Sequence, residues 1–152
     1  MTRPILEVHC DGSGEERVGR PGGWAFVIVR DGEVLCERDG SAGKTTSLVM
    51  ELEAARSALD EVVAQRWHFT HQVVLISDCR VALEVASGTF TPRPPKYAAL
   101  SSALRELAVT SGAVTKWVRA HAGHRWNEHV DASARAARLR AASRVKRRSG
   151  SS

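Results

Sequence analysis

Residues 119–131, RAHAGHRWNEHVD, concentrate side chains that could take part in chemistry. His121 and His124 flank an alanine and a glycine, and Asp131 follows shortly after them. Such a stretch could be a solvated loop, a metal site or one corner of an active site. A zinc site built from His121, His124 and His129 is disfavoured, because it lacks a thiol or a fourth ligand at the usual spacing. The remaining question is which other residues this stretch faces.

Acidic residues occupy matching positions elsewhere in the chain. Asp11 follows the predicted first strand, and Asp78 follows the predicted fourth strand. If these strands are parallel neighbours, both carboxylates lie outside the same sheet edge, where sites form in sheets of this type. Glu51, beside the apolar stripe of a helix, and Asp131, in the first turn of the last helix, could join them. The acids would then form one four-carboxylate cluster.

Such a cluster requires a cation, because crowded carboxylates repel each other and their pKa values rise. Oxygen ligands without a nearby metal-binding cysteine pattern favour Mg²⁺ or Mn²⁺ over zinc. Four carboxylates could hold two ions, the arrangement used for phosphodiester cleavage. Each acid taken alone also has a structural interpretation, as a turn residue, a helix cap or an acid favoured near a helix N-terminus. Their joint occurrence favours a site.

The elements that must position these acids can be predicted from the sequence. Predicted strands cover 5–10, 24–30, 33–38, 73–77 and 113–120, and Asp31-Gly32 indicates a hairpin between the second and third. Predicted helices begin after a cap at Thr46 or Ser47 and then cover 80–86, about 97–109, and about 128 onward. Three prolines in 89–97 predict no regular structure there. The order β-β-β-α-β-α-α-β-α indicates an α/β fold, a five-stranded mixed sheet with helices packed on both faces.

Composition narrows the class of protein. The 152 residues suffice for one domain, and 43% hydrophobic with 26% charged residues is an ordinary globular composition. The first residues contain no apolar run of the length that a signal peptide or membrane span needs, so we expect a cytoplasmic protein without a membrane partner. Three cysteines without CxxC spacing are expected to be reduced and mostly buried.

The net charge of +5 is unevenly distributed. Residues 1–131 contain 15 basic and 17 acidic residues, whereas residues 132–152 contain seven basic residues and no acidic one. We divide the chain into a domain over 1–140 and a basic, flexible C-terminal tail over 141–152. The tail is either a solubilising segment or an arm that binds a polyanion.

Four motifs in this order resemble type 1 ribonuclease H. They are DGS (11–13), TTSLVMELEAA (45–55), SDCR (77–80) and HAGHRWNEHVDASARAA (121–137). The resemblance spans nearly the whole chain and implies the ribonuclease H-like fold. It also implies a monomeric enzyme that hydrolyses the RNA strand of RNA–DNA hybrids with two Mg²⁺ ions, for which Mn²⁺ could substitute.

The resemblance also implies roles for individual residues. Asp11, Glu51, Asp78 and Asp131 would bind the metal ions, and His121 would be a mobile catalytic histidine that assists water delivery or product release. The implied substrate contacts are Gly12, Ser13, Thr46, Ser47, Arg80 and Asn127, and Glu128 would also lie near the site.

Several positions depart from the family pattern. Relatives often carry two asparagines, which read the minor groove and the 2′-hydroxyl, where this chain has Ser47 and Leu48. Arg80 replaces a groove-contacting glutamine and could bind a phosphate or a base edge instead. The extra helix and basic loop of many bacterial relatives are missing between Asp78 and Trp117, so we expect the basic C-terminal segment to supply part of their charge. A nuclease of the same fold with another substrate and a non-catalytic hybrid-binding module remain alternatives.

Overall fold

The computed structural model describes residues 2–150, which form one five-stranded sheet and four α-helices. The strands are β1 (Ile5–Ser13), β2 (Arg20–Arg30), β3 (Glu33–Thr45), β4 (Gln72–Ser77) and β5 (Val114–Trp117). The helices are α1 (Ser47–Ala64), α2 (Arg80–Ser87), α3 (Ala98–Ser111) and α4 (Arg125–Gly150). Short 3-10 helices cover Trp67–Phe69 and Pro95–Tyr97. The predicted order is confirmed, but the expectation of no regular structure in the proline-rich segment was wrong at this last turn.

The sheet has the strand order β3-β2-β1-β4-β5. The pairs β1–β2 and β2–β3 are antiparallel, whereas β1–β4 and β4–β5 are parallel. Asp31 and Gly32 have φ values of 49° and 77°, as the tight hairpin between β2 and β3 requires. Because β1 and β4 are parallel neighbours, their carboxyl ends meet at one edge of the sheet, as predicted for a site that contains Asp11 and Asp78.

Several predicted boundaries were wrong, since β2 begins four residues earlier and β3 ends seven residues later than predicted, and two further ones concern acids of the site. The strand β1 continues through Ser13, so Asp11 lies inside a strand, paired with Ala25, and not in a turn after it. The helix α4 begins at Arg125, so Asp131 lies in its second turn instead of its first. The prediction from local composition ended β1 and began α4 too close to these acids. Local composition carries no information on the pairing with β2 that prolongs β1.

Helices cover both faces of the sheet, as predicted. On one face, Leu6, Val8 and Cys10 of β1 share a core with α1, α2 and α3. On the other face, α4 packs Val130 and Ala134 against the apolar side chains of β2. The small alanine side chains allow a close approach, and a side chain at Gly23 of β2 would overlap the backbone of α4.

The helix α4 continues beyond residue 140 without interruption. Ala141 is buried, Arg140 Nη2 lies 2.7 Å from Asp39 Oδ1, and Arg144 Nη2 donates to Ser41 Oγ at 2.7 Å. Residues 141–150 therefore prolong α4 along β3, while the flexibility of the 141–152 tail stays a prediction, with Ser151 and Ser152 outside the described residues. Among residues 2–150, none of the helices combines the length and apolarity needed to cross a membrane.

Candidate metal centre and active site

Three of the four predicted metal ligands converge at one sheet edge. Asp11 comes from β1, Glu51 from the second turn of α1, and Asp78 from the residue after β4. One carboxylate oxygen of each lies within 4.8 Å of the others. The sequence alone could place these acids near one edge, and the structure brings them into a single group.

Glycines allow this convergence, because the end of β1 lies directly against the first turns of α1. A Cβ at Gly12 would overlap the backbone of Met50 and Glu51, and one at Gly14 would lie 3.1 Å from the Ser47 Cα. Ser47 N also donates to the Glu15 carbonyl at 2.8 Å. The DGS motif therefore has a steric function, since it brings the strand bearing Asp11 into contact with the helix bearing Glu51.

The electrostatics of the group are those of an anionic site that lacks a counter-charge. Burial, followed by the charge of Asp78, raises the pKa of Asp11 from 3.8 to about 8. Burial and the charge of Asp11 also raise the pKa of Glu51. A hydrogen bond between the two carboxyl groups lowers the pKa of Asp11 and raises that of Glu51.

A divalent cation fits this donor set. The buried Glu51 Oε2 has no hydrogen-bond partner, which is costly for a buried acceptor unless a ligand binds there. The neighbouring thiols do not compete for a cation at neutral pH, because burial raises the pKa of Cys10 and raises that of Cys79 to about 12. Oxygen ligands of this kind select a hard ion.

Asp78 is held by two residues that leave one of its carboxylate oxygens accessible to other partners. The buried Asn127 of α4 donates from Nδ2 to Asp78 Oδ2 at 3.2 Å. Trp117, at the end of β5, donates from its indole nitrogen to the Asp78 carbonyl at 3.0 Å. Asn127 was predicted as a substrate contact, and in the structure it contacts the carboxylate of Asp78, a predicted metal ligand.

Asp131 is not part of the mutually close group of three, but its carboxyl group lies next to that of Asp11. Its Oδ2 accepts from Arg135 Nη2 at 3.2 Å, one turn further along α4. Its charge nevertheless raises the pKa of Asp11, so the two carboxylates are close enough to interact. The structure therefore places Asp131 beside the cluster and paired with a cation.

The loop that carries His121 follows β5 and precedes α4. His121 is exposed and has a φ of 54°, and Gly123 has a φ of 83°, so the loop bends sharply at both residues. Glu128 holds the loop, because its Oε1 accepts from Gly123 N at 3.2 Å. Within residues 2–150, His121, His124 and His129 do not form a metal-binding group, and His129 instead contacts Glu37 at 3.3 Å.

The predicted substrate contacts form the rim around the carboxylates. Thr46 is the N-cap of α1, and its hydroxyl accepts from Val49 N at 3.3 Å. A concave surface of about 370 Å³ beside Glu51 is lined by Thr46, Ser47 and Leu48 together with Tyr97. Leu48 also packs against the core, which accounts for an apolar residue at this position.

Two residues of the rim were not found by sequence reasoning. Trp117 supports Asp78 and also lies under the guanidinium of Arg80, 3.7 Å from the ring centroid. Arg138 of α4 donates to Ser13 Oγ at 3.5 Å, across the end of β1. The WVR sequence directly before the histidine loop is the signal that could have indicated Trp117, whereas the contact of Arg138 depends on how α4 crosses the sheet.

Comparisons with known proteins agree with this arrangement. A family model described as RNase H matches residues 3–138. A ribonuclease H from Rhizobium etli is 33% identical over 141 residues, which cover 86% of this chain and 89% of the relative. A ribonuclease H from Halorhodospira halophila is 35% identical over 143 residues, covering 87% and 91%.

Solved structures show the same fold. The N-terminal RNase H domain of a Mycobacterium tuberculosis protein, solved as a fusion with maltose binding protein, superposes with a TM-score of 0.81. It is 22% identical, with coverage of 93% of this chain and 99% of that one. An RNase H1 solved in complex with an RNA/DNA hybrid has a TM-score of 0.69 at 20% identity, covering 87% and 98%.

Proposed function

Because this chain belongs to the RNase H family, we propose that it is a metal-dependent endoribonuclease that hydrolyses the RNA strand of RNA–DNA hybrids. The observation that carries the proposal is the group formed by the buried Asp11 and the partly buried Glu51 and Asp78 at the edge of the sheet. Buried carboxylates without a cation destabilise a fold, so their convergence is explained by a ligand. The proposal includes a cytoplasmic enzyme that acts as a monomer.

We assign the metal as Mg²⁺, with two ions held by Asp11, Glu51, Asp78 and Asp131, and with Mn²⁺ as a possible substitute. Bound ions would activate a water molecule and stabilise the leaving 3′-oxygen, giving 5′-phosphate and 3′-hydroxyl products. The unpartnered Glu51 Oε2 and the oxygen-only donor set support this assignment. Asp131 would exchange its contact with Arg135 for a metal ligand role.

The chain's own residues prepare the site for this chemistry. Asp11 and Glu51, whose pKa values are raised, would become deprotonated on binding a cation, because the positive charge would offset the repulsion between the carboxylates. Asn127 and Trp117 fix the orientation of Asp78 before substrate arrives. His121, on its exposed loop, would assist water delivery or product release.

Recognition of the hybrid depends on the rim. The backbone of Gly12 and Ser13 would read the 2′-hydroxyl that distinguishes RNA from DNA, a function that the Leu48 side chain cannot perform because it has no hydrogen-bonding group. Thr46 and Ser47, at the N-terminus of α1, would contact a phosphate of the DNA strand. The loss of asparagines at positions 47 and 48 is the observation that favours a second candidate, a nuclease of this family with broader substrate choice.

Cleavage of end-labelled substrates tests the proposal. The substrates are an RNA–DNA hybrid, duplex RNA, duplex DNA and single-stranded RNA, each with Mg²⁺ and with EDTA. We expect Mg²⁺-dependent cleavage of only the RNA strand of the hybrid. Cleavage of the other duplexes would support the broader nuclease, and tight hybrid binding without cleavage would support a non-catalytic module.

Variants of two predicted site residues, together with one control variant, test whether this site performs the cleavage. Asp78→Asn should abolish cleavage, whereas Asp60→Asn, the same substitution at an exposed position of α1, should leave it unchanged. His121→Ala should slow turnover without abolishing it, because the histidine assists a reaction whose charge is stabilised elsewhere. Full activity of Asp78→Asn would contradict the proposed site.

A further inference from the structure

We infer that Arg80 and Trp117 form one binding unit for a backbone phosphate of the duplex, in which Arg80 makes the contact and Trp117 is a positioning residue. This inference rests on the proposed function, because it takes the duplex to be the substrate. It assigns Trp117 a role in binding in addition to its contact with Asp78. The argument depends on the geometry of the pair, on the partners that Arg80 lacks and on the charge of the surrounding surface.

Trp117 connects Arg80 to the metal-binding edge of the sheet. Its indole nitrogen donates to the Asp78 carbonyl at 3.0 Å, which fixes the plane of the ring. The guanidinium of Arg80 lies over that ring, 3.7 Å from its centroid. A guanidinium stacked on an aromatic ring keeps its N–H groups directed outward in the plane of the fork. Arg80 is thus an oriented donor two residues after Asp78.

The stability of the fold does not explain the position of Arg80. Arg80 is exposed, and no carboxylate within residues 2–150 forms an ion pair with it. It occupies the first position of α2, where a cation is unfavourable because it opposes the positive end of the helix dipole. The stack on Trp117 offsets this cost. The guanidinium of Arg80 is therefore held in place although no carboxylate within residues 2–150 neutralises its charge. An anionic partner outside the chain would complete it.

The surrounding surface indicates which anion this is. The chain has no acidic residue between Glu106 and Glu128, a segment that includes β5 and the histidine loop. In that segment Arg119 is exposed and follows Trp117 by two residues, whereas Lys116 and Arg125 line a cavity on the α4 side of the sheet together with Glu7. A phosphate fits Arg80, because a guanidinium donates two parallel N–H bonds to it.

Binding of a fluorescein-labelled RNA–DNA hybrid, measured by anisotropy across a range of salt concentrations, tests the inference. Ca²⁺ replaces Mg²⁺ in these titrations so that binding is observed without turnover. The variants are Arg80→Gln, Arg80→Lys, Trp117→Leu and the double variant Arg80→Gln/Trp117→Leu. Arg30→Gln, at the opposite end of the sheet beside the hairpin, is the control for the loss of one positive charge.

Loss of one phosphate contact should lower the salt dependence of hybrid binding by a defined amount. Arg80→Gln should reduce the slope of log K against log salt by about 0.7–0.9, and Arg80→Lys should restore most of that slope. Trp117→Leu should weaken binding several-fold when Arg80 is present and have little further effect in the Arg80→Gln background. Arg30→Gln should leave the slope unchanged.

Other outcomes overturn the inference. An unchanged slope in Arg80→Gln would show that Arg80 does not contact a phosphate. Equal effects of Trp117→Leu in both backgrounds would show that Trp117 acts only through Asp78 or through folding, since coupled residues give non-additive effects. Failure of the proposed function is distinguishable, because it would appear as a lack of hybrid cleavage by the unmodified protein in Mg²⁺, whatever the salt slopes are.

Discussion

Replacing Asp11 by asparagine should make the metal-free protein more stable at alkaline pH while it abolishes cleavage. The substitution keeps the size of the side chain and removes one of three converging carboxylates. Opposite effects on stability and activity are expected at a metal site, because the same charges that bind the cation repel each other in its absence. A residue that serves only the fold would lose stability when replaced.

The pH dependence follows from the raised pKa of Asp11. In the folded protein this pKa is about 8, and its ordinary value is 3.8. The folded state therefore retains a proton that the unfolded state loses, and stability decreases as pH rises from about 4 to about 8. The full difference corresponds to about 6 kcal/mol at 1.36 kcal/mol per pKa unit. Because the titrations of Asp11 and Glu51 affect each other, we expect a smaller gain of about 2–5 kcal/mol for Asp11→Asn at pH 8 and about 1 kcal/mol or less near pH 4.5.

Urea denaturation in EDTA, followed by circular dichroism between pH 4.5 and pH 8.5, measures this difference. The matched control is Asp60→Asn, which removes an exposed carboxylate of α1. Added Mg²⁺ should stabilise the unmodified protein most strongly at pH 8 and the variant much less. A free energy of unfolding for Asp11→Asn that equals or falls below that of the unmodified protein at pH 8 would refute the reasoning.

Three further variants test other parts of the structure. Gly12→Ala should destabilise the fold by about 3 kcal/mol in urea denaturation, because its Cβ would overlap the backbone of α1; a neutral effect would contradict the contact. Asn127→Ala should cost about 1–3 kcal/mol and lower kcat more than it raises KM, because Asp78 loses a buried partner; unchanged kcat would remove Asn127 from the site. The double variant Lys146→Gln/Arg147→Gln should raise KM and reduce the salt dependence of hybrid binding if the end of α4 contacts the duplex; unchanged values would leave these residues a solubilising role.

The sequence was sufficient where the signal is local. The Asp31-Gly32 turn and the apolar stripe of α1 determined the hairpin and the first helix, and the position of Glu51 beside that stripe followed from the helical period. The carboxyl-end argument then placed Asp11 and Asp78 together, because it needs only the adjacency of two parallel strands. These inferences require backbone periodicity and topology, and both are encoded in short stretches.

Contacts between distant segments could not be predicted in the same way. The support of Asp78 by Trp117 depends on the register of β5 against β4, and the contact of Arg138 with Ser13 depends on the crossing of α4 over β1. A shift of one residue in either pairing would turn those side chains away.

The parallel pairing of β1 with β4 has a consequence for the time at which the enzyme becomes active. Asp11 belongs to the first strand, but its neighbours arrive with Glu51, with the later strand β4 and finally with α4, which carries Asp131. A chain emerging from the ribosome can form the β1–β2–β3 meander early, since these strands are sequential, whereas the long-range pairs form last. With Asp131 as a metal ligand, as proposed above, we expect nuclease activity only after α4 has been synthesised.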